Sequence, residues 1–273
     1  MYKDPLFDLT DQVIVITGGG GVLPGALARG LAARGAKVAL LNRTLAKATR
    51  VAAEIELQDG VALPLGCDVT DRTSLEQAAR QVLDYFGQVD HLINGAGGNR
   101  PGAIAVQGQD FFDLPAGELR TVLDVNFTGA LLASQVFGRH IAAQGQGSIL
   151  NISSMAASQP LSRVVAYAAA KAAIDNFTRW LASTLAREIS PDLRVNAIAP
   201  GFFIGEQNRA LLLEDDGHVT PRGAAILQHT PMGRFGEPHD LLSTAIWLLS
   251  PGARFVTGVV VPVDGGFSAF SGV

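Results

Sequence analysis

The amino-acid sequence predicts an α/β protein with a doubly wound parallel sheet of seven strands, covered by helices on both faces to give three α/β/α layers. Short runs rich in Val, Ile and Leu alternate along the chain with longer segments of helical periodicity. The short runs are apolar throughout, which is typical of parallel strands that are buried on both faces. No shift in composition or linker divides the 273 residues, so one domain spanning 1–273 is expected.

The first half of the chain predicts four strands and the helices between them. A β-branched run at 13–17 leads into a glycine-rich turn and a helix at 26–34. A strand at 37–42 and an alanine-rich helix at 45–57 follow. Strands at 61–67 and 90–94 flank a helix at 74–86.

The second half predicts three more strands, at 148–152, 194–198 and 259–263. Helical patterns at 118–140, 164–189 and 238–249 accompany them. Residues 201–237 have little strand character, and long segments of this kind in compact domains are usually lids or binding loops. We expect residues from about 201 to 237 to form a substrate lid.

Composition excludes several classes of protein. With 48% hydrophobic and 17% charged residues, the chain is not disordered. No apolar run reaches the roughly 18 residues of a membrane span, and the N-terminus lacks the apolar core of a secretion signal, so no membrane partner is expected. The single cysteine, Cys67, excludes an intrachain disulfide, and its context fits a cytoplasmic protein. No metal-ligand spacing occurs, and a net charge of −4 argues against a nucleic-acid partner.

The turn after the first strand, TGGGGVLPG at 17–25, is the first candidate for a cofactor site. Glycines at this place let the backbone approach a pyrophosphate, whose charge lies at a helix N-terminus. The candidate residues are Gly18, Gly20, Gly21, Val22 and Leu23. The strict G-x-G-x-x-G spacing is absent, so the alternative of a glycine-rich turn that binds nothing stays open.

The end of the second strand usually selects between the two nicotinamide dinucleotides. An acidic residue there binds the ribose hydroxyls of NAD(H), whereas an arginine accommodates the 2′-phosphate of NADP(H). This chain has Asn42 and Arg43 and no carboxylate between Asp11 and Glu54, which favours NADP(H). NAD(H) remains possible if Asn42 binds the 2′-hydroxyl and Arg43 only stacks on the adenine.

Two further strand ends carry cofactor candidates. Asp68 and Val69 follow the third strand and could reach the adenine, or Asp68 could cap the next helix. Asn94, Gly95 and Ala96 follow the fourth strand, where the glycine could equally serve only the turn.

Tyr167 and Lys171 carry the candidate chemistry. They lie four residues apart in a helical pattern and so share one face. A lysine ammonium beside a phenol lowers the pKa of the phenol, and such a tyrosine can exchange a proton with a carbonyl or carbinol oxygen. A tyrosine packed on the core beside a solvated lysine is the alternative.

Taken together, these motifs resemble the short-chain dehydrogenase/reductase family over essentially the whole chain. The matching segments are Thr17-Gly18, Cys67-Asp68-Val69, Asn94-Gly95-Ala96-Gly97, Asn126 in DVNF, Ser154 in NISS, Tyr167, Lys171, Pro200-Gly201 and the VDGG at 263–266. The resemblance implies a Rossmann-type fold and adds Pro200 and Gly201 to the cofactor contacts.

The resemblance also implies a catalytic tetrad of Asn126, Ser154, Tyr167 and Lys171. In that family, Ser154 would hold the substrate oxygen and Tyr167 would exchange its proton. Lys171 would lower the pKa of the tyrosine and bind the nicotinamide ribose, and Asn126 would hold a water in the proton relay.

Three residues depart from the family pattern and put the detailed nucleotide contacts in question. Val22 and Pro24 replace later glycines of the phosphate turn, and Gly95 replaces the second Asn of the Asn-Asn-Ala-Gly motif. They leave open a second class of function, a dinucleotide-binding regulatory module that no longer catalyses.

Within the family, the chain is most similar to a branch known as D-mannonate oxidoreductases (fructuronate reductases). The similarity includes the segments AGGN at 96–99, FFDL at 111–114, GFFIGEQNR at 201–209 and HTPMGRFGEP at 229–238. This implies an oxidoreductase that uses NAD(P)(H) to interconvert a carbonyl and a secondary alcohol in a sugar acid of the D-fructuronate/D-mannonate type. A gluconate, polyol or general ketone reductase is the alternative.

A sugar acid needs a cation for its carboxylate and polar groups for its hydroxyls. The candidate substrate residues are Asn99, Arg100, Arg163, Asn208 and Arg209. Arg163 is preferred because it lies one helical turn before Tyr167. The family resemblance further implies a homotetramer built on the helices at 118–140 and 164–189, with a second interface at the last helix and the tail.

Overall fold

The computed structural model describes residues 4–106, 109–205 and 209–272, and its core is one parallel sheet. Seven strands pair side by side in the order β3-β2-β1-β4-β5-β6-β7 within the described ranges. Their bounds are β1 Val13–Thr17, β2 Lys37–Asn42, β3 Val61–Gly66, β4 His91–Asn94, β5 Gly147–Ile152, β6 Leu193–Pro200 and β7 Val260–Val263. Every pairing is parallel, so the predicted fold class is confirmed.

Helices cover both faces of the sheet. Their bounds are α1 Val22–Ala32, α2 Leu45–Glu56, α3 Arg72–Phe86, α4 Ala116–Leu123, α5 Gly129–Ala143, α6 Val165–Glu188, α7 Arg209–Leu212, α8 Pro221–Gln228 and α9 Leu242–Leu249. Neighbouring residues of β1 contribute to opposite faces, as a pleated strand requires. Ile14 and Ile16 pack with α1, α2 and α9, whereas Val13 and Val15 pack with α3, α5 and α6.

The predicted helix at 118–140 is interrupted. Five residues of π-helix, Asp124–Thr128, separate α4 from α5. The Asn126 side chain donates to the Val122 carbonyl at 2.8 Å, which satisfies a backbone acceptor inside the altered turn. Single π-turns inside α-helices occur frequently at functional sites.

Other boundaries differ from the sequence-based prediction. The helix α1 begins four residues earlier than expected, directly after the glycines, with Pro24 in its first turn, where a missing N–H costs little. Residues 201–237 contain the short helices α7 and α8, so this segment is not irregular throughout. Among the helices that the structure describes, none is both long and apolar enough to cross a membrane.

Candidate active site

A cleft of about 810 Å³ lies at the carboxyl ends of the parallel strands. In an open sheet of this kind, ligands bind at that edge, where the loops leave the strands. Of the residues predicted to bind the cofactor, those that line the cleft are Gly18, Gly20, Gly21, Val22, Leu23, Asn42, Arg43, Asp68, Val69, Gly95, Ala96, Tyr167, Lys171, Pro200 and Gly201. The structure thus brings almost all of these predicted residues to one cavity.

In the turn after β1, the backbone at Gly18 lies against the backbone of Gly95 and Ala96 after β4. Gly18 has φ of +69°, and a Cβ atom there would lie 2.8 Å from the Cα of Ala96, so glycine is required. Thr17 at the end of β1 joins the two turns, because its Oγ1 accepts from the N–H groups of Gly95 and Ala96, both at 3.1 Å. The resulting cradle of exposed backbone fits the pyrophosphate of a dinucleotide.

Two of the three departures from the family pattern contact each other. A Cβ atom at Gly95 would lie 2.7 Å from Cγ of Pro24 and 2.8 Å from the carbonyl oxygen of Thr17. The proline ring of α1 therefore fills the space into which a side chain at position 95 would project. The proline and the glycine are compatible with one another and leave the cleft open.

The outer part of the cleft is rich in cations. The exposed Arg43 lines it together with Lys47 and Arg50 of α2, which the sequence analysis did not select. The Asn42 amide donates to the Thr44 carbonyl at 2.9 Å, so this side chain supports its own turn.

Among the described residues that line the cleft, Asp68 is the one with a carboxylate. It accepts from the hydroxyl of Thr70 at 2.7 Å and from the Thr70 N–H at 2.9 Å. The hydroxyl is the main cause that holds the pKa of Asp68 below its usual value, and the positive charge of Arg43 acts in the same direction. The cap of α3 is Asp71, not Asp68.

Asn94 is the exception among the predicted cofactor residues, because it does not line the cleft. It is buried, and its amide donates to Ser134 on α5 at 2.9 Å and to Asn151 on β5 at 2.8 Å. Asn151 continues the chain of hydrogen bonds to Thr178 on α6. The strand directs the Asn94 side chain into the core, so a cofactor contact would have to come from its backbone and stays a prediction.

Ser154, Tyr167 and Lys171 meet at the inner end of the cleft. Ser154 follows β5, its Oγ accepts from the Ala156 N–H at 3.1 Å, and it lines the cleft together with Tyr167. Lys171 is 5% exposed; its Nζ donates to the Ile152 carbonyl at 2.7 Å and lies 5.5 Å from the centre of the Tyr167 ring.

The pKa values at this site depart from the expectation. Burial raises the pKa of Tyr167, and the hydrogen bond with Ser154 opposes that rise. The Lys171 ammonium is directed to a backbone carbonyl, and its predicted lowering of the pKa of this phenol stays a prediction. Burial also lowers the pKa of Lys171 itself to about 8, while the charge of Asp175 opposes the decrease.

Asn126 lies behind the cleft rather than in its lining. Its Oδ1 accepts from the Gly98 N–H at 3.0 Å, and its Nδ2 donates to the Gly98 carbonyl at 2.7 Å. The side chain therefore clamps the backbone that follows β4. The predicted water-holding role stays a prediction, and what the geometry adds is that the side-chain amide already has protein partners.

The predicted substrate residues divide into two groups. Asn99 and Arg100 line the cleft, and Arg100 is paired with Glu118 on α4 at 2.9 Å. Arg209 is exposed at the start of α7 and does not line the cavity. Asn208 lies outside the described residues.

Arg163 does not have the position that was predicted for it. Its φ is +76°, and α6 begins only at Val165, so a helical turn does not connect Arg163 to Tyr167. It is exposed and absent from the cleft lining. The reason for preferring Arg163 is therefore wrong, because α6 begins two residues after it, and its role towards the substrate stays a prediction.

Two further residues of this site were not among the predicted site residues. Thr17 was named only as part of a motif, and its hydroxyl at the end of an otherwise apolar strand is the signal that could have singled it out. Asp175 could have been noticed because it lies one helical turn after Lys171 on the same face. In the described ranges, no three His, Cys, Asp or Glu side chains are grouped so that they could hold a metal ion.

Comparisons with known proteins agree with this geometry. A family model described as enoyl-(acyl carrier protein) reductase matches residues 24–268. An uncharacterized oxidoreductase of Bacillus subtilis, UxuB, is 51% identical over 275 residues, which cover 97% of this chain and 98% of the relative.

Solved structures of oxidoreductases are likewise similar to this chain over nearly its whole length. A candidate D-mannonate oxidoreductase of Haemophilus influenzae with bound NAD has a TM-score of 0.92 at 42% identity, over 97% of this chain and 98% of that one. A candidate NAD(P)-dependent gluconate 5-dehydrogenase of Beutenbergia cavernae with NADP at low occupancy has a TM-score of 0.85 at 34% identity, over 97% and 99% of the two chains. These relatives favour an enzyme over a non-catalytic module, and the chain is an oxidoreductase that belongs to the short-chain dehydrogenase/reductase family.

Proposed function

We propose that this enzyme interconverts a ketone and a secondary alcohol in a sugar acid of the D-fructuronate/D-mannonate type, with NADP(H) as the preferred cofactor. The observation that carries the reaction is that Ser154, Tyr167 and Lys171 meet at the inner end of a glycine-lined cleft. The nicotinamide, when bound, supplies or accepts the hydride.

The proton chemistry follows from the residues themselves. Burial keeps Tyr167 protonated, so in the direction of reduction the phenol can give its proton to a carbonyl oxygen. Ser154 lies beside the phenol and would donate a second hydrogen bond to the same oxygen. Asn126 keeps Gly98 in place and so fixes the wall of the cleft next to the reacting carbon.

A substitution of Tyr167 tests the reaction class. Tyr167→Phe removes the proton donor and should lower kcat by roughly 10²- to 10⁴-fold, while cofactor affinity is retained. Turnover by the variant at the parent rate would contradict the assignment.

Arg100 is the residue we propose for the substrate carboxylate. It lines the cleft next to Asn99, and Glu118 orients its guanidinium from behind. A panel of ketouronates and their uncharged analogues tests this. Arg100→Gln should lower kcat/KM for the acids by roughly 10- to 100-fold and leave the uncharged analogues unaffected.

Arg163→Gln is the matched control, because Arg163 is exposed and lies outside the cleft lining. Equal effects of the two substitutions would refute the role of Arg100. A 5-ketogluconate in the same panel separates the second candidate, a gluconate 5-dehydrogenase, which the structural relative from Beutenbergia cavernae favours.

The proposed preference for NADP(H) rests on the cations Arg43, Lys47 and Arg50 at the outer end of the cleft. An arginine there can bind a 2′-phosphate by charge-assisted hydrogen bonds. Arg43→Ala should weaken NADPH binding by roughly 10- to 100-fold and leave NADH nearly unchanged. A parent enzyme that favours NADH and does not respond to Arg43→Ala would refute the preference.

We also propose that residues 201–237 act as the lid of a single domain.

We further propose that the chain assembles into a homotetramer in the cytoplasm. Large apolar side chains are exposed on α6, where Trp180 is 60% exposed and Val165 is 44% exposed, and a partner subunit would cover them. Light scattering of the parent and of Trp180→Glu tests the assembly, since the variant should dissociate.

A further inference from the structure

A buried serine next to the catalytic serine connects β5 to the catalytic helix. Ser153 is 1% exposed, and its hydroxyl donates a hydrogen bond to the Asp175 carboxylate on α6. Its backbone N–H donates to the Ile198 carbonyl on β6 at 2.7 Å. Ser153 is therefore fixed between β6 and α6, directly before Ser154.

Asp175 lies one helical turn after Lys171 on the same face of α6. It is partly buried, and burial raises the pKa of its carboxyl group. The hydrogen bond from Ser153 and the charges of Arg179 and Lys171 oppose that rise. The carboxylate is thus fixed by the Ser153 hydroxyl, and the charges of Arg179 and Lys171 favour its ionised form.

The charge of this carboxylate raises the pKa of Lys171, against the effect of burial. Among the described residues, no Asp or Glu oxygen lies within 4 Å of its Nζ, which contacts the Ile152 carbonyl. The other charged residues on the segments around this part of α6 are Arg100, Glu118, Arg120, Asp124 and Arg194. Asp175 is the charge that acts on the Lys171 ammonium, and the neighbouring Tyr167 is neutral near pH 7.

We propose that Asp175 is a positioning residue: its hydrogen bond with Ser153 ties α6 to the segment directly before Ser154, and it brings a negative charge to the face of the helix that carries Lys171. This inference rests on the proposed function only in that Lys171 serves cofactor binding and proton exchange. Ser153, Asp175 and Lys171 then act as one unit that links the two strands flanking the site to the catalytic helix.

The test is the pH dependence of cofactor affinity, measured by fluorescence titration with NADPH and with NADH. Asp175→Asn keeps the shape of the side chain and its contact with Ser153 but removes the charge. The loss of affinity at alkaline pH should then begin at a pH lower by roughly 0.5 to 1 unit, because the neutral lysine forms earlier. Asp175→Glu should restore the parent profile at least in part.

Ser153→Ala provides a second variant in case Asp175→Asn does not fold. The carboxylate remains but loses its donor, so we expect a smaller shift in the same direction. Asp71→Asn is the matched control: Asp71 also accepts a hydrogen bond, from the Thr73 N–H at 2.9 Å, but caps α3 away from Lys171. Its cofactor profile should not move.

The outcomes separate the two proposals. Affinity that falls equally at every pH in Asp175→Asn, or a shift of the same size in Asp71→Asn, would overturn the role of Asp175. Because the titration needs no substrate, a parent enzyme that reduces no sugar acid would refute the proposed substrate and leave this test intact.

Discussion

Gly95 is a position in the wall of the cleft where the structure leaves no room for a side chain. Gly95→Ala would place a methyl group 2.7 Å from Cγ of Pro24, 2.8 Å from the carbonyl oxygen of Thr17 and 3.0 Å from Cβ of Pro24. Ordinary contacts between such atoms are about 3.5–4.0 Å, so the overlaps amount to several tenths of an ångström or more. Overpacking of this kind typically costs about 1–3 kcal/mol.

Part of that cost can be assigned to the proline. Pro24→Ala removes Cγ but leaves the clash with the Thr17 carbonyl, so the double variant Pro24→Ala/Gly95→Ala should recover only part of the loss. We expect a coupling energy of roughly 1 kcal/mol between the two sites, which is within the range for residues in contact. Cofactor affinity should fall with stability in Gly95→Ala, since the shift would propagate to the N–H groups that Thr17 holds.

The assay is urea denaturation of the parent, the two single variants and the double variant, followed by titration with NADPH. Gly117→Ala is the control, because a Cβ atom at this position of α4 would have no heavy atom within 4 Å. That variant should be neutral or slightly stabilised, as alanine favours helix. A Gly95→Ala variant as stable as the parent, or additive effects of the two substitutions, would refute the packing argument.

Three further predictions concern other parts of the fold. Burial lowers the pKa of His91 to about 3. The free energy of unfolding should therefore be retained above pH 6.5 and fall as the pH decreases towards 3, by at most about 1.4 kcal/mol per pH unit. His91→Gln should flatten this dependence in urea titrations at successive pH values. Arg194 donates to the Leu248 carbonyl at 2.6 Å and to the Leu249 carbonyl at 3.1 Å, at the end of α9. Arg194→Met should therefore lower the free energy of unfolding by roughly 2–4 kcal/mol in the same assay. A loss below about 0.5 kcal/mol would argue against this cap. Thr17→Val should weaken cofactor binding roughly 5- to 20-fold while Thr17→Ser stays near the parent value, and equal affinities would show that the hydroxyl is dispensable.

The sheet and the cleft were largely predictable from the sequence because their signals are local. An apolar run such as 13–17 is typical of a parallel strand that is buried on both faces, and glycines after it imply close backbone contact. Tyr167 and Lys171 were found in the same way, since helical spacing places them on one face. All of these depend on residues that are near each other in the chain.

The features that the sequence did not reveal depend on orientation or on distant partners. Asn94 stands in a recognised motif, but only the strand geometry shows that its amide faces Ser134 and Asn151 rather than the cleft. Arg163 was placed by extending a helix backwards past its true start. The partner of Asp175 is Ser153, 22 residues earlier in the chain, so no local pattern could have joined them.

The π-turn at Asp124–Thr128 holds one residue more than a regular α-helical turn needs. Deletion of one residue there would let the backbone return to α-helix while α5 keeps its orientation, so the buried Phe137 should stay in the core. The loss would instead fall on Asn126, whose hydrogen bonds with Gly98 depend on its place in this turn. A deletion within α5 itself would turn everything after it by about 100° and carry Phe137 out of the core. The wide turn therefore serves the site rather than the packing of α5.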